Sequence, residues 1–259
     1  MYKLKKLRAI ALDAITLQSC CRGKLFNMFR KTLSVVTANP KKVESNYNNE
    51  LKLFNGESLS KNEQKSILFF TIHKCASTYM QKCMKYINEK YLNLNYVNLE
   101  GYVYQNFDCN IYQLINQEKQ NLFYQKGNLY SPLRKYIPVK EIERYHVLLM
   151  LRDPRDVIVS NYFSTAYSHS LPPRKNQKRI FLERRLNLQK LTIDEYAIQS
   201  AHHFYQRYSD YCNYLIKERN VQHLKYEDFV EDFNLWLQKL ERTLKLNISK
   251  KDLWGRQQS

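Results

Sequence analysis

Apolar positions along this chain change their period several times, and each change marks a boundary between elements. From Ile67 to Ile72 the run Ile-Leu-Phe-Phe-Thr-Ile is rich in branched and aromatic residues and predicts a buried strand. A short turn follows at once, His73-Lys74-Cys75-Ala76-Ser77-Thr78, and apolar residues then recur at helical spacing as Met80, Cys83, Met84, Ile87 and Tyr91. The stretch reads as strand, tight loop and helix. A second apolar run, Val147 to Leu151, has the continuity expected of a strand buried on both faces of a parallel sheet. Asp153 then stands where an N-cap belongs and Pro154 takes the first helical position, with Val157, Val159, Tyr162, Phe163 and Ala166 on the face to be buried.

The remaining pattern fills in around these two units. Thr192 and Glu195 form a capping box that opens a long helix to about Arg219. Val221 to Tyr226 predicts another strand, and Phe229 to Leu246 an amphipathic helix. Leu92 to Tyr104 alternates apolar and polar positions and predicts a second strand, with Glu100 inside it. Residues 105–137 show no readable period. Residues 39–64 are polar, contain Pro40 and Gly56, and read as a connecting segment before the first core strand. Ahead of them, Leu4, Leu7, Ile10, Leu17, Leu25, Phe26, Phe29 and Leu33 recur at helical spacing between basic residues. The division expected is a basic N-terminal extension and linker over residues 1–62 and one α/β domain over 63–259.

Composition changes the picture in one respect. Hydrophobic residues make up 44% of the 259 positions, which is ample for a core, but the formal net charge is +18. Residues 1–42 hold ten Lys or Arg against Asp13 alone, so half of the excess lies there. Such a charge favours anionic partners. A basic amphipathic segment with Cys20-Cys21 is compatible with peripheral membrane contact, whereas charge without a recognisable module gives no reason to expect a specific nucleic-acid target. The six cysteines have no C-x-x-C pair, so neither a disulfide framework nor a zinc site is expected, and the default compartment is reducing and cytoplasmic.

Chemistry concentrates at the two strand-loop-helix units. The first N–H groups of a helix have no internal partner, and with the helix dipole they attract an anion. Lys74 adds a full charge there, and Ser77 and Thr78 add hydroxyls. In an open α/β sheet ligands bind beyond the carboxyl ends of the strands, where Arg152 also stands, so two adjacent strands would bring Lys74 and Arg152 to one crevice. The first loop is not a Walker A sequence, since it contains no glycine.

The segment FFTIHKCASTYM resembles the 5′-phosphosulfate loop, P-K-S/T-G-T-S/T, of the sulfotransferases that use 3′-phosphoadenosine-5′-phosphosulfate (PAPS). LRDPRDVIVSNYFS is similar to that family's 3′-phosphate motif, R-D/N-P-K/R-D-x-x-V-S-x-Y, with Arg152 and Ser160 at the matching spacing. LKYEDFVED resembles its Y-E-D strand end. The resemblance covers roughly Ser66 to Leu246. It implies a three-layer α/β fold of the P-loop type, a parallel sheet flanked by helices, with PAPS as donor, no metal, and sulfonate transfer to a hydroxyl or amine of a glycan, lipid or small molecule.

Carried over position by position, the resemblance gives Lys74 the stabilisation of the bridging oxygen. It gives the loop Lys74, Cys75, Ala76, Ser77, Thr78 and Tyr79 the 5′-phosphosulfate, Arg152 and Ser160 the 3′-phosphate, and Tyr226 a place near the nucleotide. Three departures stand out. Ala76 replaces the motif's glycine. No histidine stands about twenty residues before Arg152, where many members keep their general base, leaving Glu100 as the candidate and His169 behind it. An R-K-G-x-x-G-type closing loop is not found, which suggests a shortened member and, as a second reading, a nucleotide-binding relative without turnover.

Overall fold

The apolar run that opens the first unit becomes β1 (Ile67–Thr71), all five residues of which are buried. Its turn leads into α2 (Ser77–Ile87), which follows a short first helix, α1 (Asn48–Phe54). These come from a computed structural model that describes residues 47–59, 62–107, 111–118, 122–172, 174–246 and 248. The chain divides into Met1–Asn48 and Asn49–Ser259, and the elements described here belong to the second unit, α1 beginning at its border. The basic segment 1–38, with Cys20 and Cys21 and the membrane contact expected of it, lies outside the described residues. Among those that are described, no helix is long and apolar enough to cross a membrane.

After α2 and a π-helical turn, the chain forms β2 (Asn95–Val97), α3 (Leu99–Asn106), α4 (Ile111–Glu118) and β3 (Asn128–Leu133). There follow β4 (His146–Leu151), α5 (Pro154–Phe163), α6 (Lys175–Leu188), α7 (Ile193–Tyr214), β5 (Val221–Lys225), α8 (Tyr226–Glu231) and α9 (Phe233–Leu244). The five strands form one sheet in the order β2-β3-β1-β4-β5, and all four pairings are parallel. Chain connections from β1 go first to the β2/β3 side and then cross to β4, so the sheet reverses direction at β1. That reversal opens a crevice beyond the carboxyl ends of β1, β3 and β4.

Two helical layers cover the sheet. On one face Ile67, Phe69, Leu129, Leu148, Met150 and Leu224 pack against Met80, Met84 and Ile87 of α2 and Trp236, Leu240 and Leu244 of α9. On the other, Ile72 and Cys75 meet Val157 of α5 and Phe204 of α7, and Phe70 meets the Tyr211 ring edge-on at 6.3 Å. Burying a Leu, Met or Phe side chain in such layers contributes about 1.5–3 kcal/mol each. The long helix is capped as the sequence predicts, with the Thr192–Glu195 box closed in both directions.

Three elements differ from the sequence expectation. The alternation of residues 92–104 yields a strand only at Asn95–Val97. The side chain of Asn98 then accepts the N–H of Gly101 at 2.9 Å and caps α3, so Glu100 lies in the first turn of a helix. Within the segment read as connecting chain, α1 buries Leu53 and Phe54, and its Glu50 accepts the backbone N–H of Asn98 at 2.5 Å. Between residues 105 and 137 lies β3, wholly buried in the middle of the sheet. Pro132 hides it from a sequence reading, since proline cannot supply a ladder N–H. Its pairing with β1 is irregular there, passing from Leu68↔Tyr130 to Phe70↔Leu133.

Candidate functional site

The register Thr71↔Met150 sets the carboxyl ends of β1 and β4 side by side. Beyond Thr71 the chain turns sharply into α2, with Lys74 at φ 74° and Ala76 at φ 50°. Both lie in the left-handed region, and Ala76 caps the helix without a side-chain hydrogen bond. The first intrahelical bond runs from the Met80 N–H to the Ala76 carbonyl, so the N–H groups of Ser77, Thr78 and Tyr79 precede the ladder at the mouth of the crevice. Cys75 is buried against Ile72, Val157 and Phe204. The Tyr79 ring turns away to Phe229, 5.4 Å off. These two contribute backbone at the loop, while Thr78 is exposed and Ser77 is buried with its hydroxyl engaged.

That engagement comes from β3. Arg134, just past its end, donates from Nε to Ser77 Oγ at 2.9 Å and from Nη1 to Glu100 Oε2 at 2.8 Å. The backbone N–H of Arg134 donates to Glu100 Oε1, which also accepts the Tyr112 hydroxyl. Glu100 thus has both oxygens filled and holds Arg134 in place as a largely buried ion pair. Because Arg134 occupies an acceptor position on Ser77 Oγ, the hydroxyl hydrogen of Ser77 remains a donor toward the helix mouth.

Arg152 leaves the end of β4 and reaches back across the crevice. Its Nη1 donates to the Lys74 carbonyl at 3.2 Å, its Nη2 lies 3.4 Å from Asp156, and its guanidinium carbon stands 4.4 Å over the Tyr226 ring. Nε is buried and has no hydrogen-bond partner. The surroundings fix the backbone of this arginine: Tyr208 of α7 donates to its carbonyl at 2.6 Å, and the next N–H, of Asp153, donates to Glu227 at 3.0 Å. Arg155 is the residue that pairs closely with Asp153, at 2.6 Å, and it holds that carboxyl down to about 2. Arg152 is left facing the crevice. Ser160 lies along α5, half-buried.

Electrostatically the crevice is short of negative charge. Burial, and next the charge of Arg152, lower the pKa of Lys74. His73 keeps an open edge to solvent but sits among crowded cations. Loss of hydration, followed by the charges of Arg134, Arg207, Lys74 and His169, brings its pKa down to about 3, so it is neutral. Of the residues expected from the sequence, Arg152 meets the Lys74 carbonyl and the Tyr226 ring, while Ser77 begins α2 three residues beyond Lys74 and is bonded to Arg134. It missed Arg134, Tyr208, Glu227 and Arg207, and it left His73 as a turn residue. The signal for Glu227 stood beside Tyr226 in the Y-E-D segment, whereas Arg134 and Tyr208 reach the site only through folding.

A buried arginine Nε with no partner, beside an aromatic ring, leaves a charged donor open to an anion. No curated protein gives a significant match to the chain. Among solved structures it is similar to the mouse sulfotransferase SULT7A1 complexed with PAP, at 14% identity and a TM-score of 0.45, with 75% of this chain and 64% of that one covered. It is also similar to a retinol dehydratase in complex with retinol and PAP, at 14% identity and a TM-score of 0.43, with 79% and 65% covered. The chain therefore spans just under two thirds of the length of either structure. The sulfotransferase domain profile matches residues 60–255, more than half of the sequence, and the chain belongs to the sulfotransferase domain family.

Proposed function

We propose that this protein transfers a sulfonate group from PAPS to a hydroxyl of its acceptor. The observation that carries this reading is the unpartnered Nε of Arg152, buried beside the Tyr226 ring and tied through Nη1 to the loop that holds Lys74. A 3′-phosphate would complete the hydrogen bonding of that guanidinium, and Ser160 stands on α5, the helix that follows Arg152. The N–H groups of Ser77, Thr78 and Tyr79, the Ser77 and Thr78 hydroxyls and the Lys74 ammonium would hold the 5′ end.

When bound, the donor supplies a sulfonate linked to phosphate through a bridging oxygen. Lys74 neutralises the charge that gathers on that oxygen as the bond to sulfur breaks, an electrostatic role that needs no proton transfer. The acceptor hydroxyl must also lose its proton. Glu100 has both oxygens occupied, so in this reading it acts as a positioning residue, orienting Arg134 and through it Ser77. His73, neutral and open at the strand end, takes the proton. Negative charge brought in by the donor offsets the cations around that imidazole and raises its basicity as the acceptor arrives.

The test is calorimetric titration of the full chain with 3′-phosphoadenosine-5′-phosphate, the desulfated donor, beside an Arg152→Ala variant. Binding by the intact chain that disappears in the variant supports the site. Absence of binding by the intact chain ends the reading.

A further inference from the structure

One face of α7 carries Phe204, Tyr208 and Tyr211, spaced by four and three residues so that they fall on a single side of the helix. Phe204 and Tyr211 are buried, and Tyr208 packs against the cluster of Ile72, Cys75, Val157 and Phe204. The two tyrosine hydroxyls end on neighbouring strands. Tyr211 donates to the carbonyl of Thr71, the last residue of β1, and Tyr208 to that of Arg152, the first residue past β4, at 2.6 Å. Three residues at a helical rise of about 1.5 Å advance about 4.5 Å, close to the ~4.8 Å between paired strands, so the step on α7 matches the step from β1 to β4. Loss of hydration raises the pKa of both hydroxyls, which keeps them protonated and donating. The bonds then close into a circuit. Lys74 stands three residues beyond Thr71, and Arg152 donates back to its carbonyl at 3.2 Å. Both strand ends, one leading to Lys74 and the other to Arg152, thus hang from one rigid helix.

We infer that Tyr208 and Tyr211 are positioning residues that fix the spacing between the two anion sites, and so make the site selective for a nucleotide phosphorylated on both the 3′ and the 5′ oxygen. Neither hydroxyl is free to touch the ligand, since each is spent on a backbone carbonyl. Their effect is on geometry. A ligand with two anionic ends binds as a chelate: once one end is seated, the other meets its partner at an effective concentration set by how well the two sites are already spaced. Spacing held in advance removes the cost of ordering the strand ends on binding. A ligand with anionic groups at one end only draws no benefit from that spacing, because it needs only one of the two sites. The inference rests on the donor site proposed above and assigns to α7 the part of its selectivity that no ligand contact supplies.

The experiment measures two nucleotides on the full chain: 3′-phosphoadenosine-5′-phosphate by calorimetric titration, and adenosine 5′-diphosphate, which has no 3′-phosphate, by its displacement of the first. Tyr208→Phe and Tyr211→Phe each remove one hydroxyl and keep the ring, and Tyr205→Phe, at an exposed position on the same helix, serves as control. Each of the first two should weaken the 3′,5′-bisphosphate roughly five- to tenfold, about the value of one hydrogen bond, while the 5′-diphosphate changes less than twofold. The control should move neither. Should Tyr211→Phe not fold, Tyr208→Phe, only half-buried, carries the test alone. Unchanged bisphosphate affinity, or an equal loss for both nucleotides, overturns the positioning role while the donor site stands. A diphosphate that cannot displace the bisphosphate from the intact chain shows that the 5′ cradle is no independent site, and overturns it as well. Failure of the intact chain to bind the bisphosphate overturns both this inference and the donor site.

Discussion

Arg152 donates a hydrogen bond at 3.2 Å to the backbone carbonyl of Lys74, a residue 78 positions earlier in the chain. The contact joins the end of β4 to the loop after β1, so the group assigned to the 3′-phosphate also braces the backbone that presents the 5′ cradle. Arg152→Ala should therefore weaken nucleotide binding by more than one phosphate contact. A charge-assisted hydrogen bond contributes about 1.5–3 kcal/mol, which sets a floor of roughly ten- to hundredfold. Arg152→Lys should recover little, because an ammonium neither lies flat on Tyr226 nor reaches two acceptors as a fork does. Calorimetry on both variants checks this.

Lys74→Ala separates binding from chemistry. If Lys74 stabilises the departing oxygen, single-turnover transfer should fall roughly 10²–10³-fold, as when one oxyanion donor is removed elsewhere. The affinity for the desulfated nucleotide, which carries no developing charge at that position, should change only a few-fold.

Glu100→Gln and His73→Asn test who takes the proton. With Glu100 as a positioning residue, the glutamine variant should retain the pH profile of transfer and raise KM for the donor as Arg134 loosens from Ser77. The asparagine variant should lose most of kcat. His73 also sets a stability slope. Its folded pKa of about 3 lies below its ordinary value of 6.5. Between those two values the unfolded chain binds a proton that the folded chain does not, so stability falls as pH drops through that window and is unaffected above it. In His73→Asn the difference in urea midpoint between pH 7 and pH 5 should shrink.

Ala76→Gly should stabilise the protein. A left-handed conformation costs a residue with a Cβ about 1–2 kcal/mol, and glycine escapes most of it. A gain of about 1 kcal/mol, or roughly 2–4 °C in Tm, is expected from thermal unfolding of the variant. An unchanged or lower Tm would mean that the φ of 50° at Ala76 is not strained in solution.

Much of the molecule was already written in local pattern. Uninterrupted apolar runs at Ile67–Thr71 and Val147–Leu151 mark strands buried on both faces, because only a parallel sheet covered by helices removes both sides from water. Thr192 with Glu195, and Asp153 with Pro154, mark helix starts because capping satisfies N–H groups within a few residues. Lys74 and Arg152 were legible for the same reason, each standing just beyond a readable strand. What local pattern could not carry was settled by the tertiary structure. A capping asparagine turned the alternation around Glu100 into a helix, and the neighbours of β3 made a strand out of a segment interrupted by Pro132. The clamp from Glu100 through Arg134 to Ser77 and the reach of Arg152 to the Lys74 carbonyl join residues far apart in sequence. Their partners are chosen by the order of strands in the sheet, and sequence spacing holds no record of that order.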